Sequence, residues 1–72
     1  MENIIKIRDE YIRLGQALKL SGIAQTGIEA KIMIQSGDIL VNGEKEDRRG
    51  RKLRDGDKVQ AGNQTFTVKA SI

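Results

Sequence analysis

The hydrophobic period of this chain changes at Gly37, and that change confines it to folds in which two helices precede a sheet hairpin. Upstream, Leu14, Ala17, Leu18 and Ser21 recur at spacings of three and four, the repeat of a helix with one inward face. The spacing predicts a helix from about Arg13 to Leu20, ended by Gly22. Thr26 and Glu29 stand in capping-box register, each side chain suited to the other residue's free backbone N–H. A second helix therefore begins there, with Ala30, Met33 and Ile34 facing inward and Gly37 as its stop. Ile28 and Ile32 lie toward its other side; they either pack on the first helix or stay partly exposed, and the pattern leaves both open.

Downstream of Gly37 the period is that of strands. Ile39 and Val41 point one way, and Asn42-Gly43 tolerates the positive φ of a type I′ hairpin turn. The return segment Glu44 to Asp47 is entirely charged and is expected to be largely solvated. Arg48 to Arg54 reads as a polar connection with Gly50 as its flexible point and Leu53 as a core anchor. Asp55-Gly56-Asp57 is a tight turn before Val59, and Gly62-Asn63 turns the chain into a last strand carrying Phe66 and Val68. Near the start, Ile4, Ile5 and Ile7 around Lys6 favour a strand with a solvated edge. The expectation is an α+β fold, two short adjacent helices packed against a small, mainly antiparallel sheet. It forms a single domain over residues 1–72, with no repeat and no linker. A domain of this size buries only about 60% of its unfolded surface, so modest stability is expected.

Composition removes several functional classes. Cys and His are absent, which excludes disulfide staples, thiolate zinc sites and imidazole catalysis. No apolar run approaches the roughly 18–20 residues that cross a bilayer, and the opening residues do not resemble an export signal. A cytoplasmic, non-membrane protein is the expectation. No spaced set of Asp, Glu, Lys, Tyr11 or hydroxyl side chains suggests a reaction, so neither an enzyme nor a cofactor is expected. Asp38, Asp55 and Asp57 flank glycines at turns, where the ordinary work of a carboxylate is backbone hydrogen bonding rather than metal binding.

Thirteen Lys and Arg against ten Asp and Glu give a net charge of +3, and its placement carries more than its size. Residues 1–30 are neutral, whereas residues 44–54 alone hold six cations and three acids. Arg48, Arg49, Arg51, Lys52 and Arg54 fill five of seven positions with no acid among them. Arg offers forked donors to phosphate and Lys a mobile point charge, so the run suits a nucleic-acid backbone. From composition alone, a solvated loop or an acidic protein partner stays open.

The order of these elements resembles the RNA-binding domain family named after the fourth protein of the small ribosomal subunit, also called the alpha-L motif. The short bacterial stand-alone members are the most similar. The likeness rests on Arg13-Leu14 and Leu18, then on Thr26, Ala30, Lys31, Ile34 and Gly37, then on Val41-Asn42-Gly43. The acidic-basic stretch Glu44 to Leu53 and the pair Gly56-Asp57 complete it. It is strongest over residues 12–59, with weaker support to Val68. Two positions depart from the pattern: Gly15 where the family often has Asp, and Gly27 where it often has Arg. The second departure removes a phosphate contact from the start of the second helix.

The resemblance implies binding of structured RNA, ribosomal RNA before transfer RNA, through a face made by the two helices and the hairpin. It would be read by shape and phosphate contact, in ribosome assembly or a ribosome-associated role, with a ribosomal protein contact also open. Lys31, Arg48, Arg49, Arg51 and Lys52 are the expected phosphate contacts, with Lys31 near the basic connection. Lys19, Arg13 and Arg54 extend the set, although Arg13 has an alternative partner in Asp57. Reversing Arg48, Arg49 and Arg51 to Glu is expected to abolish binding with the fold intact. Two other readings are a protein-binding adaptor using Ile28 and Ile32 or a strand edge, and a ubiquitin-like sulfur carrier. The carrier is disfavoured because the chain ends Lys69-Ala70-Ser71-Ile72 rather than Gly-Gly, and because two helices precede the hairpin. Oligomeric state is not specified.

Overall fold

The computed structural model describes residues 2–71. Its elements are β1 (Glu2–Ile7), β2 (Ile12–Arg13), α1 (Leu14–Leu20), α2 (Gly27–Gln35), β3 (Ile39–Val41), β4 (Glu44–Lys45), β5 (Lys52–Leu53), β6 (Lys58–Ala61) and β7 (Gln64–Ala70). Ile72, the terminal residue weighed against a carrier, lies outside the described residues.

Both helices start within a residue or so of the places their spacing predicts. Arg13 is the extended N-cap of α1 and offers no side-chain cap, a point that matters for the site below. At α2, Thr26 Oγ1 accepts from the Glu29 N–H at 3.0 Å. The Glu29 carboxylate makes no return bond among the described residues, so the capping box is half formed. Asn42 and Gly43 adopt φ of 52° and 87°, the left-handed pair of a type I′ turn. Leu40 and Val41 consequently pair with Lys45 and Glu44.

The strands form a five-stranded sheet in the order β1-β7-β6-β3-β4, beside a separate two-stranded ribbon of β2 and β5. All neighbours in the main sheet are antiparallel except β1, which lies parallel to β7 with Ile5 opposite Val68. Parallel neighbours need a long crossover, and here both helices and the hairpin lie within it. The sheet has β1 at its edge, where Ile4 is exposed while Ile5 and Ile7 are buried. Phe66, Val68, Val59, Ile39 and Val41 meet Leu14, Leu18 and Ile34 of the helices in one core, and Leu53 anchors β5 in it. Ile28 and Ile32 stay in solvent at 73% and 60% exposure, which resolves their open position.

One expectation fails. Glu44, Lys45 and Asp47 are exposed, but Glu46 is buried at 5% exposure. Its N–H donates to the Ile39 carbonyl at 3.1 Å, holding the segment against the sheet beyond the end of β4. The physical reason lies in its carboxylate, which finds two arginine partners.

Candidate nucleic-acid interface

The first turn of any helix leaves backbone N–H groups without intrahelical partners. In α1 no side chain caps them; the basic connection does. Leu14 N–H donates to the Arg51 carbonyl at 2.8 Å and Gly15 N–H to the Arg49 carbonyl at 3.0 Å. Arg13 Nη1 donates to the Gly50 carbonyl at 2.9 Å. Three successive carbonyls of the basic run are thereby turned onto the start of α1. The run is a fixed part of the structure at these points.

Gly15 permits that approach. A Cβ at this position would stand 2.7 Å from Arg49 Cγ and 3.2 Å from Arg49 Cδ, well inside contact distance. The residue at which the chain departs from the family pattern is thus the one over which Arg49 crosses. Around it lies an open groove of about 360 Å³, lined by Arg13, Gln16, Lys19, Gly27 and Arg49 among others. At Gly27, the second departure, an added Cβ would meet nothing within 4 Å. The groove is therefore open at the start of α2.

Glu46 organises the next part of the run. Its Oε2 accepts from Arg48 Nε at 2.9 Å and from the Arg48 N–H at 3.1 Å. Its Oε1 accepts from Arg48 Nη2 at 3.2 Å and from Arg51 Nη1 at 2.8 Å. Hydrogen bonds from the Arg48 and then the Arg51 side chain bring its pKa down from an ordinary 4.5 to about 2, against the opposing effect of burial. The same pairing raises the pKa of Arg48. Removing a buried carboxylate from water is costly unless its lone pairs are filled, and these four donors fill them.

The remaining cations gather elsewhere. Lys52 Nζ lies 4.8 Å from the centre of the Tyr11 ring, with the guanidinium carbons of Arg54 and Arg13 at 5.6 and 5.8 Å. Asp57 is not the partner of Arg13. Its Oδ1 accepts from Asn42 Nδ2 at 3.0 Å and its Oδ2 from the Arg54 N–H at 2.7 Å, which ties the two turns together. Asp55 accepts from the Ala70 N–H at 2.9 Å and Asp38 from Ser36 Oγ at 2.9 Å. All three turn carboxylates are thus engaged in local structure.

The expected site residues consequently divide into three groups. Arg13, Lys19 and Arg49 share the groove; Arg48 and Arg51 share Glu46; Lys52 and Arg54 join Arg13 at Tyr11. Lys31 is exposed one helical turn beyond Gly27 on the same face of α2, and does not line the groove itself. Sequence reasoning missed Glu46 and Tyr11. Glu46 carried no signal, standing in a wholly charged segment. Tyr11 had one: it lies two residues before Arg13, on the same face of an extended segment.

The expectation that reversing Arg48, Arg49 and Arg51 leaves the fold intact needs correction. Glutamates at Arg48 and Arg51 would stand beside a buried carboxylate that already depends on both.

Comparison with known proteins agrees with this architecture. The S4 domain profile matches residues 5–69. Over 60 residues the chain is 48% identical to a protein of Bacillus subtilis (strain 168) named probable ribosome maturation protein RlbA, covering 83% of this chain and 84% of that one. The chain belongs to the S4 domain family.

Proposed function

We propose that this chain is a non-catalytic module that binds structured RNA, ribosomal RNA foremost, during ribosome maturation. The observation that carries this reading is the groove of Arg13, Lys19 and Arg49, whose walls are set by the carbonyls that cap α1. Exposed cations gathered along one groove suit the phosphates of a folded RNA, read by shape rather than by sequence. Lys31 extends the line along α2. The name of the Bacillus subtilis relative supports maturation of the ribosome as the setting.

Two measurements test it. Crosslinking in cells, followed by sequencing of the attached RNA, is expected to enrich ribosomal RNA; enrichment of transfer RNA would redirect the assignment, and no enrichment would overturn it. In vitro, affinity for such an RNA should fall with salt, with log K changing by roughly −0.7 to −0.9 per phosphate contacted for each tenfold rise in salt. The K19E/R49E variant should lose most of that dependence. An adaptor role keeps one supporting observation: Ile28 and Ile32 expose adjacent apolar side chains one turn apart on α2. It is compatible with RNA binding on a ribonucleoprotein particle.

A further inference from the structure

The ribbon of β2 and β5 has two unlike faces. Ile12 pairs with Leu53 and Arg13 with Lys52, and continuing that register by one residue sets Tyr11 opposite Arg54. Side chains alternate along a strand. Leu53 therefore enters the core with Ile12 packed against it, while Tyr11, Arg13, Lys52 and Arg54 share the other face. That face holds one aromatic ring and three cations within 6 Å of its centre. Among the described residues, none of the three cations is ion-paired to an acid. The ring attracts each cation through its negative π-face, but three like charges held so close repel one another. An anion bound here would relieve that repulsion.

We propose that this face takes an unpaired nucleotide of the bound RNA, its base stacking on the Tyr11 ring and its phosphate meeting Lys52. The inference rests on the RNA-binding reading above and adds a second contact to it. Arg13 connects the two, since it lines the groove and also stands over Tyr11. A continuous duplex offers phosphates to this face but keeps its bases stacked inside. A bulge or loop offers both a phosphate and a free π-face, the combination that an aromatic ring among cations accepts.

The chain contains one Tyr and no Trp, so its tyrosine fluorescence reports Tyr11 alone. Two probes separate the cases: a blunt-ended RNA duplex, and the same duplex carrying a short bulge of unpaired adenosines. The bulged RNA is expected to quench Tyr11 emission beyond the level given by the duplex. It should also bind the wild-type protein about tenfold more tightly than it binds Tyr11→Leu. Tyr11→Phe should retain that affinity, and duplex binding and its salt slope should be the same in all three proteins. Equal quenching by the two RNAs, or a Tyr11→Leu variant that still prefers the bulge, would overturn the nucleotide site. In that event, duplex binding lost in K19E/R49E would leave the RNA-binding reading standing. Failure of the wild-type protein to bind either RNA would overturn both.

Discussion

Arg48 and Arg49 are neighbours in sequence with the same side chain, both exposed, and the fold gives them different partners. Arg48 is tied to a buried carboxylate through its backbone N–H and its guanidinium. Arg49 lends its backbone to α1 and leaves its side chain across Gly15, on the wall of an open groove. The first arginine is ion-paired and helps shape the loop, while the second makes no ion pair among the described residues. A count of positive charge along a chain therefore overstates the charge available for binding, because some of it neutralises acids that fold beside it.

The sharpest way to break this contrast is reversal at each side of it. R48E/R51E places two carboxylates against the buried Glu46 and should destabilise the fold more than any other variant here, read as a lowered urea midpoint. R49E should change stability by no more than about 0.5 kcal/mol while weakening RNA binding roughly tenfold. Equal destabilisation by both variants would erase the distinction.

Removing the carboxylate itself gives a smaller but more discriminating effect. E46A makes the protein more positive by one charge, yet it should lose about 1–3 kcal/mol of stability, since its arginine partners are partly solvated. RNA affinity should also fall as the loop loosens. A rise in affinity would show that net charge, and not loop geometry, governs binding.

Acid should act through the same group. The Glu46 pKa is depressed in the folded state to about 2, so its contribution is fully present above the ordinary value of 4.5 and is lost as pH falls toward 2. Urea melts across that interval should show the wild type losing stability relative to E46Q. Parallel decline of the two proteins would remove Glu46 as the source.

The smallest effects are expected at the two glycines. G15A gains helix propensity, up to about 1 kcal/mol, but its Cβ displaces Arg49. The net change in stability should be slight, with a fall of a few fold in RNA affinity. G27A meets open space and should be neutral or stabilising by a few tenths of a kcal/mol, with little effect on binding. Binding assays on the pair measure how closely Arg49 must cross α1.

Much of the architecture was legible because it is local. The helix at Leu14–Leu20 follows from spacings of three and four, the hairpin from Asn42-Gly43, and the anchor at Leu53 from a lone large apolar residue in a polar run. The S4 resemblance also followed from order and spacing. The distribution of the cations was not legible. The bond from Arg13 to Gly50 spans 37 residues, and the α1 N–H groups reach carbonyls of comparable separation. Glu46, Arg48 and Arg51 are close in sequence, but nothing in their composition shows that the backbone turns the acid inward.

By itself, then, the sequence determined where the two helices and the Asn42-Gly43 hairpin lie, most of the large apolar residues of the core, and that the charge excess lies in residues 44–54; it did not show the short strands β2 and β5. Those properties depend on periodicity and on residues a few positions apart. Only the tertiary structure decided that β1 lies parallel to β7, that Glu46 is buried, and that the basic residues divide among a groove, a clamp on Glu46 and an aromatic ribbon. Each of those outcomes depends on which backbone donors, acceptors and faces are left over once the core has formed, and a side chain's charge does not record whether its partner will be solvent, an acid or a ring.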